Sequence, residues 1–598
     1  MYSKSPFLFC GIVLAIACSS YAQTYDLPII FVDTKQKCLD NKVTEKIPAT
    51  MRVLDGATNN VADSAKGTLY DIGIKVRGQS SAMFPKPGYS IEVRDEKGEG
   101  TDVSLFGLPP SDDWVLHGPY VDKSMLRNAL AYWLFRQAGR YAPRTKHFDL
   151  YINGVYRGVY VLVEKIKRGK YRVNVSKLKE DDIAGDSLTG GYLWAFDKVG
   201  TNTGGGGSNN QGGIEAEGFN TSDGLNVILH YPKKENIQKQ QEEYLKKYLN
   251  DLEALFKNGK NGDGYEKYVD LGSALDYVLH QEVTNNGDSY WCSFFLHKPK
   301  NKTNKDGVYT EGKVTLGPPW DFNLAMSNGG MMYGGGNSWQ IESSSKAPQQ
   351  GNGGQWGGGG FGFGMSSLKA PNWLVQMWKR SDYQNELKKR WAELRSGVWH
   401  TKVMDAYLDS MKTYLTKAAE RNFKRWPNLG QNSGQGDTDP QPMKYCNGNG
   451  SSGMKMGMGG NNANTWEGEV EHLRTKMKER MQWMDQKLGF TEPAAPVVTG
   501  PVDTELHWPH WEKDTAKVNP PLAFQDDFSR LSPTNFFTVN DNYLEIQTNL
   551  GGTFALMDLN GTVLFKTRIG KGLTTLKIPG KAMNKHWIAT LNGKMLNR

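Results

Sequence analysis

The stretch GPPWDFNLAMSN, residues 317–328, holds one acid, Asp321, between Trp320 and Phe322 in an otherwise uncharged run. A second acid, Asp288, closes NNGD directly after a helical pattern. A Gly- and Ser-containing turn, RGQSS (Arg77, Gly78, Gln79, Ser80, Ser81), lies between two strand-like runs, and Lys86 follows at the entry to YSIEV. These residue types suit phosphoryl transfer. Backbone amides in such a turn cradle phosphates. A cation steadies the phosphate charge, one carboxylate holds a divalent metal on the phosphate oxygens, and another orients the attacking hydroxyl. Little covalent work is required, so a few well-placed side chains suffice.

The elements around these residues must hold them in place. TLYDIGIKVRG and YSIEVRD read as strands joined by RGQSSAMFPKPG. SMLRNALAYWLFRQAG carries apolar residues at helical spacing, with Asp122 or Ser124 as its cap and Gly139 as its stop. HFDLYINGVYRGVYVLVEKI predicts a hairpin about Asn153-Gly154. Further helices are expected over 236–255, over DLGSALDYVLHQEV, and at 380–396, 401–425 and 466–488, with their Trp, Leu and Met residues as core. SYWCSFFLHK and KVTLGPPWDF are expected as strands. His280, alone on an apolar helix face, reads as a packed core histidine. The basic run Lys165, Lys167, Arg168, Lys170 reads as a solvated face.

The chain has 598 residues, 38% of them hydrophobic and 23% charged, which is enough for a large core and too long for one typical domain. A net charge of +9 without long basic runs is no signature of nucleic-acid binding. Lys4, an apolar run from Phe7 to Cys18 and the small residues SSYA predict a secretory leader over 1–22, too short to be a permanent membrane span. Beyond the leader, Cys38, Cys292 and Cys446 allow at most one internal disulfide and leave a thiol. The expected organisation is an N-terminal segment over 23–65 and a main domain over 66–490. Gly-rich insertions lie near 200–214, 329–365 and 427–464, followed by a linker over 491–530 and a β-rich module over 531–598.

Phosphate loop, lysine, helix, hairpin, acid and Asp-Phe follow one another in the order seen in protein kinases, without GxGxxG or HRD and with Asn323 where DFG has Gly. RGQSS with FPKPGYSIEV, LRNALAYWLFRQAGRYAP, YINGVYRGVYVLVEKIKRGKYRVNV, NNGDSYWCSFFLHK and GPPWDFNLAMSN resemble the CotH family of atypical kinases. The W-x-x-L-R stretch at Trp391–Arg395 and RNFKRWP at Arg421–Pro427 fit as well, so the resemblance spans roughly 65–490. It implies an α+β, kinase-like fold with a helical C-terminal part and transfer of the ATP γ-phosphoryl group to Ser or Thr of secreted or surface proteins, with Mg2+ or Mn2+. It also implies site roles. Asp288 is the active-site acid and Asp321 the metal-binding acid, with Asn323 as a second metal-facing group. Arg77, Gly78, Ser80 and Ser81 touch phosphates, Lys86 is their cation, and Glu164 and Lys165 lie in a connector near the adenine. Two positions depart from the family pattern: Pro87 replaces the second of two lysines, and Asn323 replaces an Asp. Asn offers an oxygen to a metal but no charge. The C-terminal strands around DLNGTV resemble the all-β sorting modules of type IX secretion, which implies a final address at the cell surface or in the medium. The alternative is a non-catalytic surface protein that keeps the fold and binds a partner or polysaccharide.

Overall fold

The computed structural model describes residues 24–496 except 40–44, 79–80, 198–217, 304–306, 308, 329–336, 345–369, 436, 444, 447–455 and 458–462, together with seven strands between 535 and 595. The expected leader, Ser80, most of the Gly-rich loops and most of the linker lie outside the described residues.

Seven strands close a barrel: β1 (Ile29–Asp33), β2 (Ile47–Leu54), β3 (Thr68–Arg77), β4 (Gly88–Arg94), β5 (Asp113–His117), β6 (Thr145–Ile152) and β7 (Val155–Glu164). The order is β1-β2-β3-β4-β5-β7-β6, and the parallel pair of β1 with β6, Ile29 opposite Asp149, completes the ring. Closure leaves no exposed sheet edge. β1 and β2, within the N-terminal segment expected over 23–65, are strands of this barrel. Alternation sorts the side chains of β7. Tyr160 and Leu162 fill the barrel, while Val159, Val161 and Val163 face the larger core. That two-sided burial explains why GVYVLV is apolar without a break. The β6–β7 turn is Asn153-Gly154, both left-handed, as the two-residue hairpin requires.

Helix α1 (Arg127–Gln137) packs on the outside of the barrel and is buried nearly all round. Asp122 accepts the Arg127 N–H and Ser124 accepts the Leu126 N–H, but the N-cap position itself is Leu126, without a side-chain cap bond, while Gly139 turns left-handed beyond the helix end. Beyond the barrel lies an antiparallel sheet of order β9-β10-β8-β11-β12, made of β8 (Tyr192–Phe196), β9 (Gly218–Asn220), β10 (Asn226–Tyr231), β11 (Phe294–Lys298) and β12 (Thr315–Leu316). Helices α2 (Lys239–Ala254), α3 (Leu271–Val283), α4 (Gln340–Ser344), α5 (Asn372–Trp378), α6 (Ser381–Ser396), α7 (Thr401–Arg425) and α8 (Trp466–Leu488) complete this half. The large core joins α1, α3, α6, α7, α8 and the sheet. Within it Arg395, fully buried, pairs with Asp485 at 2.9 Å beside Trp391, which gives the W-x-x-L-R stretch its purpose.

The run Ser289–Ser293 is not a strand. Tyr290 and Ser293 are left-handed, so the strand starts only at Phe294. The strand expected through KVTLGPPWDF is likewise only Thr315–Leu316. Cys38 and Cys446 form a disulfide, and Cys292 remains a thiol. At the C-terminus, one sheet pairs Asn535–Asn540, Tyr543–Thr548 and Gly572–Lys577, and a second pairs Val563–Ile569, Gly552–Asp558, Trp587–Leu591 and Lys594–Met595. No helix among the described residues is long and apolar enough to cross a membrane.

Candidate active site between the barrel and the helical half

The loop that carries Asp321 is held by α1. The Asp321 N–H donates to the Tyr132 hydroxyl at 3.3 Å, and the Phe322 N–H donates to Asn128 Oδ1 at 2.6 Å. Arg127 Nε donates to the Ala325 carbonyl at 3.2 Å. Arg127 is itself fixed by Asp122, whose Oδ1 lies 2.7 Å from Nη1, and both side chains are almost completely buried. Asn328 Nδ2 closes the loop on the carbonyls of Asn323 and Val121. Thus Arg127, Asn128 and Tyr132, spaced along one helix, explain why LRNALAYW precedes a loop nearly two hundred residues away.

Asp321 is left-handed, with φ 64°. This turn separates two neighbours. Phe322 enters the core, edge-on to Tyr132 and His280, while the Asp321 carboxylate stays exposed. His280 is the core histidine expected from its sequence position: it is fully buried, bonds the Ala131 carbonyl, and is driven down to about 4 by burial. Arg77, at the end of β3, stacks over Trp320 at 5.2 Å and is half-buried. Burial lowers its guanidinium from the ordinary value, and Asp321 is the strongest opposing influence. Burial, then Asp321, raises the phenol of Tyr132. The base of the turn that follows β3 and the Asp-Phe motif therefore meet. Gly78 shapes that turn: it is left-handed, and a Cβ there would lie 2.0 Å from Ser81 Oγ.

Asp288 is half-buried in the turn after α3, with its N–H on Asn286 Oδ1 at 3.3 Å and its carbonyl accepting from the Cys292 N–H. The Met326 N–H donates to the Thr284 carbonyl at 2.8 Å, which ties the Asp321 loop to the end of α3 that Asp288 follows. A third acid joins from just beyond the end of β8: Asp197 accepts from Cys292 Sγ at 3.0 Å and from Ser293 Oγ at 3.4 Å. Of thirteen left-handed non-glycine residues among the described residues, six lie in these two loops: Asn285, Tyr290, Ser293, Asp321, Met326 and Ser327. Strained backbone of this kind persists where surrounding structure over-determines it, and it concentrates at functional sites.

Glu164 and Lys165, expected in a connector near the adenine, lie where β7 leaves the barrel. β7 ends at Glu164, and Ile166 enters a cluster with Val173, Leu193, Ala195 and Phe295, against which Trp320 packs. Residues 164–166 thus lead from barrel to sheet beside the motif. Glu164 itself is buried and faces Arg144 at 3.0 Å and the Tyr141 hydroxyl at 3.2 Å. Lys165 is 43% exposed and pairs with Asp113, and Lys167 pairs with Asp112, so the basic run is partly neutralised rather than freely solvated.

Lys86 makes contacts of its own. It is buried, its Nζ donates to Asn422 Oδ1 at 2.8 Å, and it lies over the Tyr160 ring. Burial, then the charges of Arg157 and Arg425, push its ammonium well below the ordinary range. Asn422 also accepts the Val159 N–H, reaching it because Gly158 has no Cβ to block the approach. RNFKRWP is accordingly a clamp on β7.

Among the described residues, no group of three or more His, Cys, Asp and Glu side chains could hold a metal alone. Mg2+ usually takes one or two carboxylates plus substrate phosphates. Exposed Asp321, with Asn323 two residues on, fits a site of that kind. Arg127, Asn128, Tyr132 and Asp197 were not foreseen as site residues. LRN lay inside a recognised motif, but local spacing carries no signal for a partner so distant in sequence. A family model described as CotH, CotH kinase protein, matches residues 74–484. No curated protein matches the chain.

Proposed function

The chain belongs to the CotH kinase protein family, and from that premise we propose that it moves the γ-phosphoryl group of ATP to a Ser or Thr hydroxyl of secreted or surface proteins. The observation that carries this reading is the meeting of Arg77 with Asp321 on a loop locked by α1. Asp288 accepts the proton of the attacking hydroxyl. The hydroxyl oxygen bonds the γ-phosphorus, the bond to the β,γ-bridging oxygen breaks, and ADP leaves. Arg77 and the amides of the Gly78 turn bear the phosphate charge. A bound Mg2+ or Mn2+ would neutralise the phosphate oxygens, with Asp321 and Asn323 as its protein ligands. Residues 164–166 flank the base. The leader at 1–22 and the C-terminal module, read as a sorting domain, direct the protein out of the cell.

The second reading, a non-catalytic surface protein binding a partner or polysaccharide, is favoured by one observation: Lys86 is committed to Asn422 rather than open to a ligand. Purified protein with labelled ATP, Mn2+ and an acidic generic substrate separates the two. Transfer that is lost in Asp288→Ala supports the enzyme, as does metal-dependent ATP binding that is lost in Asp321→Ala. No transfer and no ATP-dependent thermal shift would favour the binding protein. Unchanged nucleotide affinity in Asp321→Ala removes its metal role.

A further inference from the structure

The side chains of Lys86, Arg157 and Arg425 lie together beneath residues 437–443. Lys86 and Arg157 are 1% exposed and Arg425 is 5% exposed. Asp439 is the carboxylate in direct contact: its Oδ2 is 2.7 Å from Arg157 Nη1 and its Oδ1 is 2.5 Å from Arg425 Nη2. The acids felt by Lys86 are committed elsewhere, Asp149 to Arg421 and Tyr156, Asp122 to Arg127 and Ser124. Arg157 Nε and Arg425 Nη1 have no hydrogen-bond partner among the described residues. Two buried guanidiniums thus share one carboxylate, with donors left over, beside the buried amine of Lys86. Burying charge without full compensation is costly, and guanidinium forks match phosphoryl oxygens as well as carboxylates.

The segment that supplies Asp439 is fastened like a strap. The Tyr120 hydroxyl donates to Asp437, the Gln441 carbonyl takes both arginines, and Met443 packs on the barrel core and accepts the Tyr89 hydroxyl. Cys446 then bonds Cys38. Asp439 is itself 15% exposed, so lifting the strap opens the cations to solvent. Arg157 Nη2 donates to the carbonyl of Pro85, at the exit of the phosphate turn, which places the recess beside that turn.

We propose that Arg157 and Arg425 form a binding site for phosphoryl anions, that Asp439 occupies it in the closed protein, and that the Cys38–Cys446 disulfide keeps it closed. This does not rest on phosphoryl transfer: anion binding is measured without metal, substrate or turnover, and survives if the kinase reading fails.

The test is calorimetric titration of the full chain with inorganic pyrophosphate. Oxidised wild type should bind weakly. Asp439→Asn, and wild type reduced with dithiothreitol, should each bind at least about tenfold tighter, roughly 1.4 kcal/mol. Adding Arg425→Gln to Asp439→Asn should erase the gain. ATP that competes with pyrophosphate identifies the anion as the phosphates of a nucleotide, and ATP that does not compete identifies a free anion. Unchanged pyrophosphate affinity in both Asp439→Asn and the reduced protein overturns the proposal. If Asp439→Asn fails to fold, equal affinity of oxidised and reduced wild type overturns it alone.

Discussion

Asp122→Ala tests whether one buried ion pair serves stability, the site, or both. Asp122 and Arg127 are 2% and 0% exposed, and Asp122 holds Arg127 through Nη1 as well as through the first N–H of α1. Removing the acid strands a guanidinium in the core, which costs about 3–5 kcal/mol. Losing the helix-start acceptor adds about 1 kcal/mol. Asp122→Ala/Arg127→Met should recover the first cost, since an apolar side chain of similar length in place of a buried pair is close to neutral. It should keep the second cost, leaving a net loss of about 1 kcal/mol. The double variant still lacks the Arg127 bond to the Ala325 carbonyl, so it should regain stability but not metal-dependent ATP affinity. Urea unfolding reads the first quantity and titration with ATP and Mn2+ reads the second. A double variant no more stable than Asp122→Ala refutes the ion-pair argument. A double variant that binds ATP as wild type does refutes the idea that α1 holds the Asp321 loop.

Asn128→Ala leaves the buried Phe322 N–H without its acceptor, a local cost of about 1–3 kcal/mol, and should raise hydrogen exchange in 321–328 while the global urea midpoint moves little. Arg395→Ala strands Asp485 and empties space beside Trp391; a loss of about 3–5 kcal/mol in urea unfolding is expected. Burial holds His147 and His280 down to about 4, so both are neutral in the fold where an unfolded chain, with histidines near 6.5, takes up protons. Stability should be flat above about pH 6.5 and fall from there toward pH 4, by at most about 1.4 kcal/mol per pH unit for each histidine, and His280→Gln should make that slope shallower in urea titrations.

Local pattern revealed the helices well. The 3.6-residue repeat placed α6, α7 and α8 within a residue or two, because each buries one continuous face. Asn153-Gly154 marked its hairpin, because a two-residue turn demands left-handed residues. The barrel was not legible as a whole. Nothing near Ile29 indicates that its partner is Asp149, and so residues 23–65 looked separate. SYW looked like a strand because its residues favour strands, yet tertiary contacts hold Tyr290 and Ser293 left-handed. In the site, Asp321 and Arg77 were visible as types. Their meeting depends on Asn128 and Tyr132, whose hydrogen bonds span a distance no local periodicity encodes. The polar, Gly-rich stretch over 427–464 looked like a plain loop, although Asp437, Asp439 and Gln441 grip the barrel.

The parallel seam between β1 and β6 has a consequence for how the chain reaches its native state. As synthesis proceeds, β1 has one sheet partner in β2, and its second edge stays open until residues 149–152 exist. The tie from Cys38 reaches 408 residues ahead, so it forms after nearly all of the helical half has been made. Contacts this remote must overcome the entropy of closing large loops before they return any stability, and folding dominated by them is slow. The barrel is therefore among the last parts to be sealed although its strands are among the first made. An exposed β1 edge during that interval is the point at which a nascent or refolding chain is most open to mispairing with another copy.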